Sequence, residues 1–381
     1  MKVCLFTPVF IPTMGGVGIV VHQLASFLTE QGHEVTVLVH KRRGESEVPD
    51  LPYRVFRYPR PFSNKWGIEH LVFYLVWNRF LTGFDILHCH AAYPHGYVGA
   101  IFKKIFDIPL VITSHGDIAK GTPVREDARL TKRIKKAMEG ANAITALTRY
   151  MKEESIESGA FEEKIHMVPN GVDLGAFRSE EKFVYKTPYI FSMGILRRIK
   201  GFDILIKAFD KVKEVHPEIS LLIGGEGKEG ENLKKLVHDL KLEDRIRFLG
   251  ILSGREKIKL LRGCEFYVCS AIGEEPFSNS ILEAFAAGRA VLASHVGGVP
   301  DLVEDGINGI LVPPGSPDSL AGKMIEMLRR PPLLQKMSAC AMRRSRDFDL
   351  PVIMNRYLLL YEGLLRPLQP KKLIGCKKTE G

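Results

Sequence analysis

The sequence predicts an α/β protein built as two doubly wound units, and three observations carry that prediction. At 381 residues the chain exceeds one ordinary core, which favours two domains of somewhat under about 200 residues each. Short apolar runs alternate with helical stripes along most of its length, the pattern of a parallel sheet with crossover helices. That pattern pauses at the turn-rich, charged stretch NGVDLGAFRSEEKFVYKTP (170–188) and then restarts.

In the first unit VCLF (3–6) reads as a strand, and Val17, Val20, Val21, Leu24, Phe27 and Leu28 mark one face of a helix closed by Gly32. EVTVLVH follows as a strand, then FDILHCH (84–90), PLVITSH (109–115), AITALT (143–148) and KIHMVP (164–169), with helical patterns between most of them. The second unit has strands YIFSMG (189–194), ISLLIGG (219–225), RIRFLG (245–250), FYVCS (266–270), AVLAS (290–294) and GILVP (309–313). Helices are expected near 202–215, 230–240, 254–263, 278–287 and 316–329. The domain reading is therefore 1–175 as the first unit, 176–188 as linker, 189–347 as the second unit, 348–366 as a last helix and 367–381 as a basic tail. Because open α/β sheets bind ligands beyond the carboxyl ends of their strands, the segments 7–18, 91–97, 114–122, 194–201, 225–230, 271–280 and 294–300 carry the most weight.

Composition narrows the function classes. The chain is 45% hydrophobic and 26% charged with 35 glycines, a globular balance. No run approaches the roughly 18 apolar residues of a membrane helix, and the start MKVCLFTPVF lacks the features of a secretory leader, so a cytoplasmic protein is expected. Cys4, Cys89, Cys264, Cys269, Cys340 and Cys376 form no Cys-x-x-Cys pair and read as small hydrophobes in a reducing compartment. A formal charge of +10 favours anionic partners such as nucleotides, phosphates or acidic lipid headgroups; nucleic acid is not expected.

The stretch GEEPFSNSILEAFAAG (273–288) sets Glu275 and Glu283 on either side of a helix start where Ser278 can cap. One reading is a capped surface helix; the other is an anion-and-hydroxyl site, with backbone N–H groups at a positive helix end suited to a diphosphate. MGGVG (14–18) lies between the first strand and first helix, where Gly15 and Gly16 let backbone amides approach a ligand, although it is not the full Gly-x-Gly-x-x-Gly fingerprint.

With SHG (114–116), VPNGVD (168–173), GILRRIKG (194–201), GGEG (224–227) and GGVPDLVEDGINGILVPPG (297–315), these motifs resemble a retaining glycosyltransferase of family four with the GT-B fold, two facing Rossmann-like domains with a cleft between them. The resemblance covers nearly the whole chain. It implies that Glu275 contacts donor sugar hydroxyls, that Glu283 holds the nucleotide ribose, and that Pro276, Phe277, Ser278, Asn279, Ser280 and Glu226 line the donor. It makes Lys200 the positive charge on the donor diphosphate and His115 a partner of a sugar hydroxyl, so that His115, Lys200 and Glu275 form the catalytic set. Ile195 stands where the family pattern has an arginine, so Arg197 or Arg198 is expected to reach the phosphates, with a surface role as the alternative.

Some tempting motifs are set aside. His88, His90 and His95 in HCHAAYPH lack acidic or cysteine partners for a metal, and Asp349 in DFD (347–349) reads as a helix cap followed by an early proline. No metal and no cofactor beyond the donor is expected. The helix after Asp349 should cross back to the first unit, with Tyr357, Leu358 and Tyr361 as packing residues. The amphipathic RLTKRIKKAMEG (129–140) suggests either peripheral contact with an acidic membrane or ordinary packing, and the aromatic run 69–81 reads as core.

The expected function is metal-independent transfer of a hexose-type sugar from a nucleotide-diphosphate sugar to the hydroxyl of a glycan or lipid-linked acceptor. The alternatives are a GT-B-fold sugar-nucleotide epimerase and a non-catalytic sugar-nucleotide binder.

Overall fold

A computed structural model describes residues 1–12, 16–41, 50–59, 67–120, 122–178 and 181–366. Gly15 and the tail 367–381 lie outside the described residues.

The first sheet contains β1 (Lys2–Thr7), β2 (Glu34–His40), β3 (Arg54–Tyr58), β4 (Ile86–Cys89), β5 (Leu110–Thr113), β6 (Ala143–Ala146) and β7 (Ile165–Met167). The second contains β8 (Tyr189–Met193), β9 (Ser220–Gly224), β10 (Ile246–Phe248), β11 (Tyr267–Cys269), β12 (Val291–Ser294) and β13 (Gly309–Val312). Their orders are β3-β2-β1-β4-β5-β6-β7 and β10-β9-β8-β11-β12-β13, and every pairing within them is parallel.

The first unit carries α1 (Gly16–Glu30), α2 (Gly67–Thr82), α3 (Tyr97–Phe106), the single turn α4 (Pro123–Glu126), α5 (Ala128–Gly140) and α6 (Arg149–Glu157). The second carries α7 (Phe202–Val215), α8 (Gly230–Asp239), α9 (Gly254–Gly263), α10 (Asn279–Ala286), the short α11 (Val299–Leu302), α12 (Pro317–Arg329) and α13 (Pro331–Ser345), and α14 (Leu350–Leu365) follows. Strands buried on both faces explain the continuous apolar runs in the sequence: β4, β5, β6 and β12 are buried at every residue.

Strand order reverses between β1 and β4 in one sheet and between β8 and β11 in the other, and ligands collect at such switch points. The two units meet through loops at the carboxyl ends of their strands. Thr148 Oγ1 donates to the Pro276 carbonyl at 3.0 Å, Asn170 Nδ2 donates to Asn279 Oδ1 at 2.9 Å, and the Arg149 backbone and Nε both reach the Asp301 carboxylate at 2.6 Å.

Helix α14 ties the second unit back to the first. Ile353, Met354, Tyr357 and Tyr361 are buried in one cluster with Val3, Leu5, Val35 and Ile86 of the first sheet, and Leu358 packs against it. Asp349 occupies the cap position ahead of a proline in the first turn, but its side chain makes no cap hydrogen bond. The turn is held by backbone instead: Val172 N donates to Phe348 O and Leu350 N to Val172 O, each at 2.9 Å. His88 Nδ1 meets the Tyr361 hydroxyl at 2.5 Å and His88 Nε2 meets Thr113 Oγ1 at 2.7 Å, so this histidine serves packing.

Three features depart from the sequence reading. β3 went unread because it is a half-buried edge strand with arginines at Arg54 and Arg57, and α13 because it opens on two prolines. The aromatic run 69–81 forms most of α2, which buries only the stripe Leu71, Leu75 and Asn78. Phe73, Trp77, Phe80 and Leu81 are exposed, with Phe80 at 76%. A 3.6-residue period cannot turn aromatic residues on every face toward one core. In α5 the opposite holds, because Ile134, Ala137 and Met138 are buried and the apolar stripe faces its own domain.

Tyr361→Phe, which deletes one buried hydrogen bond, should cost about 1 kcal/mol, and Tyr361→Ala about 3–5 kcal/mol, read as the shift in denaturant midpoint. Equal, negligible shifts in both variants would mean that α14 does not hold the two units together.

Candidate active site

The chain leaves β8 through Gly194 and makes a single 3₁₀ turn, Arg198–Lys200. Gly201 ends that turn with φ of +64°, and a Cβ there would overlap the Ser270 carbonyl oxygen. Only glycine allows the two loops to approach this closely. The approach is then locked: Ser270 Oγ donates to Lys200 O at 3.1 Å, and Ile272 N and Gly273 N donate to Ile199 O at 2.9 and 3.1 Å.

This contact delivers Lys200 Nζ onto Glu275 Oε2. Glu275 is only 8% exposed, and its carbonyl accepts from Gly298 N at 2.8 Å. Gly297, at φ +49°, packs so tightly on the Glu275 backbone that a Cβ would not fit. Three segments, 194–201, 270–275 and 297–298, therefore fix one carboxylate and one ammonium beside the switch point.

Helix α10 begins immediately afterwards. Ser278 stands at its N-cap but makes no cap hydrogen bond, and its hydroxyl meets Ser280 Oγ at 3.2 Å. The capped-helix reading is thereby corrected: among the described residues no side chain caps this helix end, which keeps its positive field and its N–H groups. Gly16 lies opposite, where a Cβ would stand 3.3 Å from Asn279 Nδ2. Gly116 likewise abuts the Pro276 ring, and Phe277 is buried.

His115 follows β5 into the same region. It is half-buried, and burial holds its imidazole down to about 4, so the ring is neutral near pH 7. His115 Nε2 faces His90 Nδ1 at 3.1 Å. Asp117, two residues on, has a carboxyl pushed up by burial. It accepts from Ser114 Oγ and Ala92 N, each at 2.7 Å, and from Tyr93 N at 3.3 Å.

The remaining expected residues lie farther out. Glu283 pairs with Lys257 at 2.5 Å. Glu226 is exposed, its carbonyl accepting from Leu196 N at 3.0 Å. Arg197 and Arg198 are exposed, and neither guanidinium has an acidic partner among the described residues. Sequence reasoning gave no site role to Asp117 and Thr148, which act through other residues, nor to His90, considered only as a metal ligand, nor to Asn170 within VPNGVD. No group of three or more metal-binding side chains stands together among the described residues.

Facing parallel sheets, with an ion pair and an open helix end at their shared switch point, define the class: a two-domain GT-B glycosyltransferase. The chain belongs to glycosyltransferase family 4, group 1. Residues 14–176 match the model described as Glycosyltransferase Family 4, and residues 175–344 the model described as Glycosyl transferases group 1. It is 28% identical to the N-acetyl-alpha-D-glucosaminyl L-malate synthase of Bacillus anthracis, over 93% of this chain and 96% of that one. It is 27% identical to the phosphatidyl-myo-inositol mannosyltransferase of Mycolicibacterium smegmatis, over 95% and 94%. Among solved structures, Anabaena HepE in complex with UDP-glucose matches with TM-score 0.79 at 20% identity, over 95% of this chain and all of that one. The sucrose-phosphate synthase of Thermosynechococcus elongatus matches with TM-score 0.83 at 21%, over 95% and 98%. These last two likenesses establish the fold.

Gly201→Ala should lower stability by about 2 kcal/mol or more, from left-handed backbone strain plus overlap, and should lower turnover further by displacing Lys200. An unchanged melting temperature and unchanged turnover would show that the two loops do not depend on this glycine.

Proposed function

We propose that this glycosyltransferase moves a hexose-type sugar from a nucleotide-diphosphate donor to an acceptor hydroxyl, with retention of anomeric configuration and without a metal ion or other cofactor. The observation that carries the reading is the Lys200–Glu275 pair beside the uncapped start of α10. In this reading the donor diphosphate sits between the α10 N–H groups, Gly16 and Lys200, which stabilise the charge that grows as it leaves. Glu275 and His115 accept or donate to sugar hydroxyls, and Glu283 takes the ribose in exchange for Lys257. Arg197 or Arg198 supplies the second cation near the phosphates, standing in for the arginine that Ile195 replaces.

The acceptor oxygen attacks the anomeric carbon on the face from which the diphosphate departs. The carbon–oxygen bond to phosphate breaks with its electron pair, and the departing phosphate oxygen takes the acceptor proton. No protein nucleophile is required. Five described cysteines, all free, support a reducing, cytoplasmic setting. No described helix is long and apolar enough to cross a membrane, while exposed Phe73, Trp77 and Phe80 on α2, beside exposed Lys104 and Ile105 on α3, have the composition of a surface that rests on an acidic bilayer.

Incubation without added metal with UDP-glucose, UDP-N-acetylglucosamine, GDP-mannose and ADP-glucose separately should release nucleoside diphosphate from one donor, and more with an acceptor extract. Lys200→Ala and Glu275→Ala should each lower that release by at least about 100-fold while the fold survives. Tight nucleotide binding with no turnover on any donor would favour a non-catalytic binder, and conversion of the donor sugar without an acceptor would favour an epimerase. In sedimentation with phosphatidylglycerol vesicles, the protein should pellet and Trp77→Ser with Phe80→Ser should not; a wild-type protein left in the supernatant would refute the bilayer contact.

A further inference from the structure

Three histidines run inward from the cleft. Exposure falls from the half-buried His115 to His90 at 1% and His88 at 0%. The ring centres of His88 and His90 lie 4.1 Å apart, and those of His90 and His115 lie 5.4 Å apart with the rings nearly parallel, at 18°.

The two loops that carry His90 and His115 are braced against each other. Asp117 accepts from Ser114 Oγ in one and from the backbone N–H groups of Ala92 and Tyr93 in the other. His90 N donates to Phe6 O at 2.9 Å. His88 is engaged at both ring nitrogens, by the Tyr361 hydroxyl and by Thr113 Oγ1, so it has no nitrogen to offer His90.

His90 Nδ1 meets His115 Nε2 at 3.1 Å. Burial holds both imidazoles below their ordinary titration range, so near pH 7 both are neutral and each carries one N–H. One ring must donate and the other accept, which leaves two assignments. If His115 donates, His90 carries its own proton on Nε2, a buried nitrogen with no hydrogen-bond partner among the described residues. If His90 donates from Nδ1, the same Nε2 is only an unused acceptor. Among buried backbone groups orphaned N–H donors are rarer than under-used acceptors, and the same order applied to this imidazole selects His90 as the donor.

We infer that His90 is a positioning residue that sets the tautomer of His115: His90 Nδ1–H donates to His115 Nε2, so His115 carries its proton on Nδ1 and meets the donor sugar as a hydrogen-bond donor. The inference rests on the proposed transferase reading and sharpens it. With Glu275 accepting and His115 donating, the two side chains present opposite hydrogen-bond polarity to the sugar. An Nδ1–H group has no lone pair to receive a second proton, so His115 is not the base that removes the acceptor proton. That proton is left to the departing phosphate oxygen.

Long-range ¹H–¹⁵N NMR of the full chain labelled at histidine reads the tautomer directly, because protonated and unprotonated ring nitrogens differ widely in shift; His115→Gln identifies the His115 signals. Wild-type His115 should carry its proton on Nδ1, and His90→Phe should move it toward Nε2. In His90→Asn the side-chain amide donates in place of Nδ1–H, so the wild-type tautomer should persist. In His90→Phe, kcat/KM for the donor should fall about tenfold, the loss of about one hydrogen bond, while UDP affinity stays within about twofold. His90→Asn should recover most of that loss, which a purely packing role would not allow. An Nε2–H tautomer in wild-type His115, a tautomer unmoved by His90→Phe, or equal losses in His90→Phe and His90→Asn would overturn the inference. The wild-type tautomer is read without any change at His90, so a variant that fails to fold leaves the test standing. A wild-type chain that releases nucleoside diphosphate from no donor would count against the transferase reading, while the tautomer would still be measured.

Discussion

The return of α14 to the first unit is the constraint on which the remaining geometry depends. Burying Ile353, Met354, Tyr357 and Tyr361 among residues of the first sheet removes enough apolar surface to contribute on the order of 10 kcal/mol before entropy is counted. With the Val172–Leu350 turn and the Tyr361–His88 contact, it holds the loops at the carboxyl ends of the two sheets against one another.

Given the tie, the cleft follows from glycine and charge. Positive φ at Gly201 and Gly297 lets two loops crowd Glu275, and Lys200 answers the buried carboxylate. In the proposed reading the pair is poised, since a bound diphosphate would compete for Lys200 and free Glu275 for hydroxyls. Leaving α10 uncapped serves the same end, because any side chain satisfying those N–H groups would occupy the space for an anion.

Much of this was legible in the chain. Helices 202–215 and 254–263 appear at the expected bounds because their apolar stripes and flanking breakers are clean, and α1 ends near Gly32, whose φ is +79°. Reading was weaker where burial is one-sided. The aromatic residues of α2 read as core because hydrophobicity alone does not say which face has a partner, and β3 escaped because its arginines mask a short edge strand. Asp349 kept its cap position but left the bonding to backbone, a detail that residue preference does not specify.

By itself the sequence determined the parallel α/β class, the division into two units and the family motifs, because hydrophobic period and turn chemistry are local properties that survive without a fold. The tertiary structure alone decided which motifs face one another. Gly16 meets Asn279, His115 meets His90, and Asp117 accepts from the backbone of Ala92 and Tyr93. Those pairings join residues on separate elements or in separate domains, and no spacing along one strand or helix encodes the distance between them.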